Sequence, residues 1–391
     1  MGNDPRITRR KLGGLALGTA AIAAPGLARA QQTPLRFGVL LPMSGRAAFF
    51  GNDQIIATSW ALERINAAGG VAGRRLEMVT IDSQADPQTG INGATRLATV
   101  DRVPLFFVSW SAVVNAVAPV ANRERVLQIS SGATAPGIAR LGQYVFTMYP
   151  LADVEGIAAA TWHVRSMNRR RAGVLYINNE SGIDGARVYR EAFQAAGGQV
   201  TAYEAYDPRA ADFTGVLLRL RAANPDIIWL QGDVPEIPTL VSQARRLGLT
   251  QVVATTSIGQ NNRVLEQLGP AAEGLLVTSL APGAEELPAV SAYVEEWQRR
   301  ENRQPNGLPF TQYFYDAAYV AAALFGWTLQ RNLPPSGENL RRALVEHGPF
   351  DLPLTGELRV DVAEGRHTVR KPVYVLQVRD GAFRPHATIG A

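Results

Sequence analysis

Residues 105–136 read LFFVSWSAVVNAVAPVANRERVLQISSGATAP, and the order of residue types in them decides the fold. The apolar run Leu105 to Val108 predicts a buried strand. It ends in Ser109, Trp110 and Ser111, after which Val113, Val114, Val117, Ala118 and Val120 recur at helical spacing, so a helix N-terminus opens beside Ser111. A second apolar run, Val126 to Ile129, ends in Ser130, Ser131, Gly132, Ala133 and Thr134. Small hydroxyl residues at such places are ordinarily N-caps and turn formers. Two clusters of them, each at the carboxyl end of a strand, also suit the crevice in which open α/β sheets hold small molecules. Free N–H groups at helix starts favour an anionic group there.

Working outward, the same alternation continues. Leu35 to Leu41 is an apolar strand leading through Pro42-Met43-Ser44-Gly45 and Phe49-Phe50-Gly51 into a helix that stops at Gly69-Gly70. Arg75 to Ile81 is a strand ending at Asp82, and Asp86-Pro87 starts a helix to about Val100. Strands alternating with helices predict βαβ units and a parallel sheet. After a strand at Tyr144 to Phe146 the first lobe closes near Thr147 to Pro150, and a helix from Leu151 to Met167 opens the second. There the strand Ala172 to Ile177 runs into Asn178-Asn179-Glu180-Ser181-Gly182, a polar loop before a helix and another place to meet a ligand. Ala195-Ala196-Gly197-Gly198, a strand, Ala211-Asp212, a helix and the strand Ile227 to Leu230 then repeat the events that follow Ala67-Ala68-Gly69-Gly70. This internal echo predicts a duplicated architecture, in which Gln231, Gly232 and Asp233 are the counterparts of Ser109 to Ser111. Beyond the strand Leu275 to Leu280, two helical stretches carry Trp297, Phe310, Tyr313, Phe314, Tyr315, Tyr319, Phe325 and Trp327, read as the core of a helix pair. Strands around Glu357 to Val362 and Pro372 to Val378 close the chain.

The 391 residues suit two domains, and 46% hydrophobic with 19% charged residues is a globular composition. Thr8-Arg9-Arg10-Lys11-Leu12, a weakly apolar stretch and Ala28-Arg29-Ala30 read as a twin-arginine-type signal peptide over residues 1–30, cleaved near Ala30. That leader holds five of the 39 basic residues and one of the 34 acids, leaving a balance of +1 and no basic footprint for nucleic acid. With no Cys there are no disulfides and no thiolate chemistry. Gly-x-Gly, the phosphate loop and Gly-x-Ser-x-Gly are all missing, and His163, His347, His367 and His386 stand apart without metal-ligand spacing. Asp82 with Asp86, or Asp207 with Asp212, reads better as helix caps and loop acids than as a catalytic pair. No cofactor, metal or enzyme activity is expected.

Several stretches together resemble the periplasmic substrate-binding proteins of branched-chain amino acid (Leu/Ile/Val-binding) ABC transporters. They are Pro42-Met43-Ser44-Gly45 with Phe50-Gly51, INAAGGVAGRRLEMVTIDSQADP, ISSGATAP, the Gly182 loop, and PEIPTLVSQARRLGL followed by AEGLLVT. The resemblance covers nearly the whole chain after the leader. It implies the type I periplasmic-binding fold: α/β, two Rossmann-like lobes, each a mostly parallel sheet flanked by helices, joined by a three-crossing hinge. Lobe 1 is expected over 31–148 plus 282–350 and lobe 2 over 149–281 plus 351–391, with crossings near Thr147 to Pro150, Ser279 to Pro282 and Pro349 to Pro353. The resemblance further implies that Ser111, Gly132 and Thr134 hold a ligand's carboxylate and amino group, and that Phe50 covers its apolar part. It departs in the second lobe, where Asp233 replaces a usual Tyr and Ser257 the Glu that pairs with the ligand ammonium. Either Asp233 supplies the missing charge or the ligand has no ammonium, since an unpaired buried ammonium is costly. The expected ligand-binding set is thus Phe50, Ser109, Trp110, Ser111, Gly132, Ala133, Thr134, Ser181, Asp233 and Ser257. The expected protein is a periplasmic, monomeric solute receptor that passes a small amino acid, carboxylate or amide to an ABC permease and its ATPase. A sensor of the same fold and an exported hydrolase are the alternatives.

Overall fold

A nearly unbroken apolar run makes β1 (Leu35–Leu41), the strand from which the first sheet of this computed structural model grows. The structure describes residues 33–363, 365–369 and 371–390, so the leader expected over 1–30 lies outside the described residues. The first lobe continues through α1 (Ala48–Ala67), β2 (Leu76–Asp82), α2 (Pro87–Thr99), β3 (Leu105–Val108), α3 (Ser111–Glu124), β4 (Leu127–Ser130) and β5 (Val145–Thr147). All five strands are parallel, in the order β2-β1-β3-β4-β5.

The second lobe runs through α4 (Ala152–Arg165), β6 (Arg171–Ile177), α5 (Glu180–Ala195), β7 (Gln199–Tyr206), α6 (Thr214–Ala222), β8 (Ile227–Gln231), α7 (Ile237–Arg246), β9 (Val252–Thr255), α8 (Asn262–Leu268) and β10 (Leu276–Ser279). Its parallel strands take the order β7-β6-β8-β9-β10, the same permutation as the first sheet. The duplication read from the sequence is therefore a duplication of topology. Gly69 and Gly197, at φ +101° and +95°, end the two corresponding helices in a conformation that only glycine adopts without strain.

The chain then returns to the first lobe through α9 (Pro288–Glu301), α10 (Leu308–Gln330) and α11 (Gly337–Glu346). α10 packs along α1, and Trp297 of α9 meets Trp60 of α1 at 4.9 Å between ring centroids. Most of the aromatic run is thus core, as its helical spacing predicts, with Tyr313, Phe314, Tyr315 and Phe325 almost fully buried. Two hairpins follow, β11 (Phe350–Leu352) with β12 (Gly356–Leu358) and β13 (Val360–Ala363) with β14 (Arg366–Val369). Last, β15 (Val373–Arg379) joins β10 antiparallel and β16 (Ala382–Ile389) forms the edge.

The third crossing differs from the expectation. His367 in β14 stacks on Phe146 at 4.1 Å and its Nδ1 lies 2.8 Å from the Val145 carbonyl, so the second hairpin belongs to the first lobe's packing. The chain crosses between Val369 and Val373, not near Pro349 to Pro353, and only the last two strands of 351–391 join the second sheet. α10 ties the later crossings together: Tyr313 donates to the Leu280 carbonyl at 2.8 Å, and Gln312 donates to the carbonyls of Pro282 at 2.9 Å and Leu354 at 3.3 Å. Asp316, one turn on, accepts from the Leu354 and Thr355 amides and the Thr355 hydroxyl, while the buried Lys371 donates to the Thr355 carbonyl at 2.6 Å. Burial pushes the Asp316 carboxyl up to about 7 and the Lys371 ammonium down to about 8.

Candidate functional site

The loops after β1, β3, β4, β6, β8 and β9 meet at the carboxyl ends of both sheets, around a cavity of about 230 Å³. Phe50, Ser109, Trp110, Ser111, Gly132, Thr134, Ser181 and Asp233 of the expected set line it. Trp110 takes φ +76°, a conformation a bulky residue holds only under constraint, immediately before α3 begins. The Ser111 hydroxyl oxygen accepts from the amides of Thr134 and Ala135, each at 3.2 Å, which leaves its hydrogen to be donated elsewhere. Thr134 and Ser181, one from each lobe, share a hydroxyl–hydroxyl hydrogen bond of 3.0 Å. Ser109 donates to the buried Gln54 at 3.3 Å. Gly132 is closely approached, since a Cβ there would lie 3.3 Å from Cβ of Ser109 and 3.4 Å from the Phe310 ring.

Two expected residues stand apart from the cavity. Ala133 packs into the first lobe's core. Ser257 is fully buried: its amide donates to Glu155 at 2.7 Å and its hydroxyl bonds that of Tyr149 at 3.0 Å, so it faces the hinge while its neighbour Ile258 faces the cavity. The short side chain at 257 thus leaves room for Tyr149, which stacks on Phe310 at 5.1 Å.

Sequence reasoning missed Arg46, Phe49, Gln54, Ile258 and Phe310 among the lining residues. The first three follow β1, at the same carboxyl edge that drew attention to Ser111, so the rule already in hand would have found them. Phe310 arrives from 260 residues beyond Phe50, by way of α10, and no local pattern marks it. Phe49, Phe50 and Phe310 form an aromatic wall, with centroids 4.4 Å apart for the first pair and 5.4 Å for the second, and Arg263 of the second lobe caps Phe49 at 4.3 Å.

Charge in the cavity is shared between lobes. The Arg46 guanidinium lies 3.9 Å from Asp233 and 3.6 Å from Glu236. Burial raises the Asp233 carboxyl, and burial together with Asp233 pushes Glu236 up to about 7, Arg46 opposing both. Away from the cavity, Asp86 caps α2 through the Thr89 amide at 2.7 Å and Asp212 caps a turn through the Thr214 amide at 3.0 Å. His163 is sealed in the second lobe against the Tyr189 hydroxyl at 2.8 Å, and burial drives its pKa down to about 3. Among the described residues no cluster of three or more His, Asp or Glu side chains is placed to hold a metal, and no helix is long and apolar enough to cross a membrane.

The periplasmic binding protein family matches residues 34–382. With nearly the whole described chain covered, this protein belongs to that family. The leucine-specific-binding protein of Salmonella typhimurium is 26% identical over 316 residues, 80% of this chain and 84% of that protein. The leucine-, isoleucine-, valine-, threonine- and alanine-binding protein of Pseudomonas aeruginosa is 27% identical over 349 residues, 88% of this chain and 90% of the other. The crystal structure of a leucine-binding protein from Thermotoga maritima shares the fold at a TM-score of 0.80 and 23% identity, covering 91% of this chain and 98% of that one.

Proposed function

We propose that the protein is the exported, non-catalytic solute receptor of an ABC importer, which closes two lobes on a small amino acid or related carboxylate and delivers it to a membrane permease. The supporting observation is the neutral cradle of Ser111, Gly132 and Thr134 in a cavity reached from both lobes. Hydroxyl hydrogens and helix-start amides can hold a carboxylate there without a buried countercharge. An aromatic wall would cover the rest of the ligand, and the Thr134–Ser181 contact would form only when the lobes come together. Export through the leader would place the receptor in the periplasm as a monomer, with the permease and its ATPase as partners at the inner membrane. The lobes would hinge at 147–151, 279–282 and 369–373.

A second reading, favoured by Ser257 facing the hinge, is a receptor for deaminated acids or amides, working in uptake or in sensing. A thermal-shift screen against leucine, valine, phenylalanine, aliphatic and aromatic carboxylates without an amine, and short amides separates the two. Ligand at a hundred times its dissociation constant stabilises the native state by about 2.7 kcal/mol. Amino acids alone raising the melting temperature would make the ligand of the first reading an amino acid, deaminated acids would leave its carboxylate site standing without an ammonium, and amides alone would favour the second; silence from the whole panel would refute both.

A further inference from the structure

Besides the neutral cradle, the cavity has a charged corner whose hydrogen-bonding capacity is unspent. Arg46 and Asp233 both line it. Their separation of 3.9 Å, and the 3.6 Å from Arg46 to Glu236, exceed a hydrogen bond, so the three groups attract without bonding. Behind them Glu236 is 5% exposed and Tyr206 3% exposed; the Glu236 Oε2 finds no hydrogen-bond partner among the described residues, and the Tyr206 hydroxyl lies against the Asp233 backbone. The backbone brings these groups close: a Cβ on Gly232 would meet the Tyr206 hydroxyl at 2.5 Å, and Asp233 is the next residue. Buried polar atoms left in this state cost stability, so such a corner suits a ligand group that satisfies them.

The chemistry of that group follows from its neighbours. A guanidinium offers only donors and a carboxylate only acceptors, so a group serving both must donate and accept at once. An ammonium would serve Asp233 but face the charge of Arg46, and a second carboxylate would do the reverse. A hydroxyl does both: one oxygen can lie about 2.9 Å from a nitrogen and about 2.7 Å from an oxygen when those two atoms are as close as these. We propose that Arg46 and Asp233, backed by Glu236 and Tyr206, form a second polar subsite that receives a hydroxyl, so that the ligand is a hydroxylated carboxylic acid. Because Arg46 comes from the first lobe and Asp233 from the second, the hydroxyl also bridges the closed lobes. This rests on the carboxylate reading of the cradle given above.

The test is titration calorimetry on the purified protein with matched acids: 4-hydroxybenzoate against benzoate, 3-(4-hydroxyphenyl)propanoate against 3-phenylpropanoate, and tyrosine against phenylalanine. At least one hydroxylated acid is expected to bind roughly tenfold or more tighter than its partner, the scale of a hydrogen bond to a charged group. That ratio is expected to fall to within about threefold in both Arg46→Met and Asp233→Asn, each checked for folding by its melting temperature. If every acid that binds does so as tightly without its hydroxyl, or if the preference survives in both variants, the subsite is refuted and the carboxylate reading stands. Failure of all six acids to bind would refute this inference, and the carboxylate reading would fall with it only if leucine, valine and the aliphatic acids are silent as well.

Discussion

Replacing Asp316 by Asn should change how stability depends on pH. The carboxyl is fully buried, accepts from two amides and a hydroxyl, and has its pKa raised from 3.8 to about 7 by burial, against the opposing pull of those bonds and of Lys371. The folded protein therefore holds this proton more tightly than the unfolded chain does. Its contribution to stability is complete below the unfolded pKa of 3.8 and is lost as pH rises through about 7. At about 1.4 kcal/mol per pH unit, the native state loses roughly 2 to 3 kcal/mol between pH 5 and pH 8 through this one group. Asparagine keeps the shape but sets an amide nitrogen against N–H donors, at a pH-independent cost of about 1 to 3 kcal/mol. D316N should thus be the less stable protein at pH 5, with the gap closing by roughly 2 to 3 kcal/mol at pH 8. Urea unfolding followed by circular dichroism at the two pH values measures this, since titrating groups remote from Asp316 cancel in the difference and only its partner Lys371 does not. Parallel losses in the two proteins, agreeing within about 0.5 kcal/mol, would show that Asp316 is ionised throughout and that the reasoning is wrong.

Two further outcomes are expected. Thr134→Ala removes a hydroxyl from the cradle and its bond to Ser181, so a carboxylate ligand should bind roughly ten- to a hundredfold more weakly in calorimetry while the unliganded melting temperature moves by no more than about 4 °C; unchanged affinity would take Thr134 out of the site. His163, held at about 3 against an ordinary 6.5, contributes stability that is complete above pH 6.5 and lost on acidification, so His163→Gln should lose roughly 2 kcal/mol less than the parent between pH 6.5 and 4.5; equal acid limbs in urea unfolding would contradict its burial in neutral form.

The strands at Leu35 to Leu41 and Leu105 to Val108 were readable to the residue, because parallel strands covered on both faces are written as nearly unbroken apolar runs. The echo of helix stop, strand, helix and strand was likewise readable, and it reappears as one strand permutation used twice. Ser111, Gly132 and Thr134 could be singled out because they follow such strands directly. Ser257 could not be judged the same way. One peptide unit decides whether residue 257 or 258 faces the cavity, and Tyr149, 108 residues away, occupies the other side. Phe310 carries no signal of its own, since an aromatic in an all-apolar helix looks the same whether it faces core or ligand. The third crossing was misplaced because Gly348 to Gly356 reads as a turn-rich linker, whereas the stacking of His367 on Phe146 that anchors the next hairpin to the first lobe is a distant contact.

The placement of β15 has a bearing on how the protein is made. It pairs with β10, yet the chain between Ser279 and Val373 is spent on three helices and two hairpins packed with the other lobe. Neither lobe is a continuous stretch of polypeptide. During synthesis the second sheet has an open edge at β10 until β15, ending at Arg379, leaves the ribosome, and that edge is available for wrong pairing meanwhile. A fragment ending before residue 373 should therefore be poorly soluble even with all its parallel strands present, and the last seventeen residues of the second sheet act as its cover.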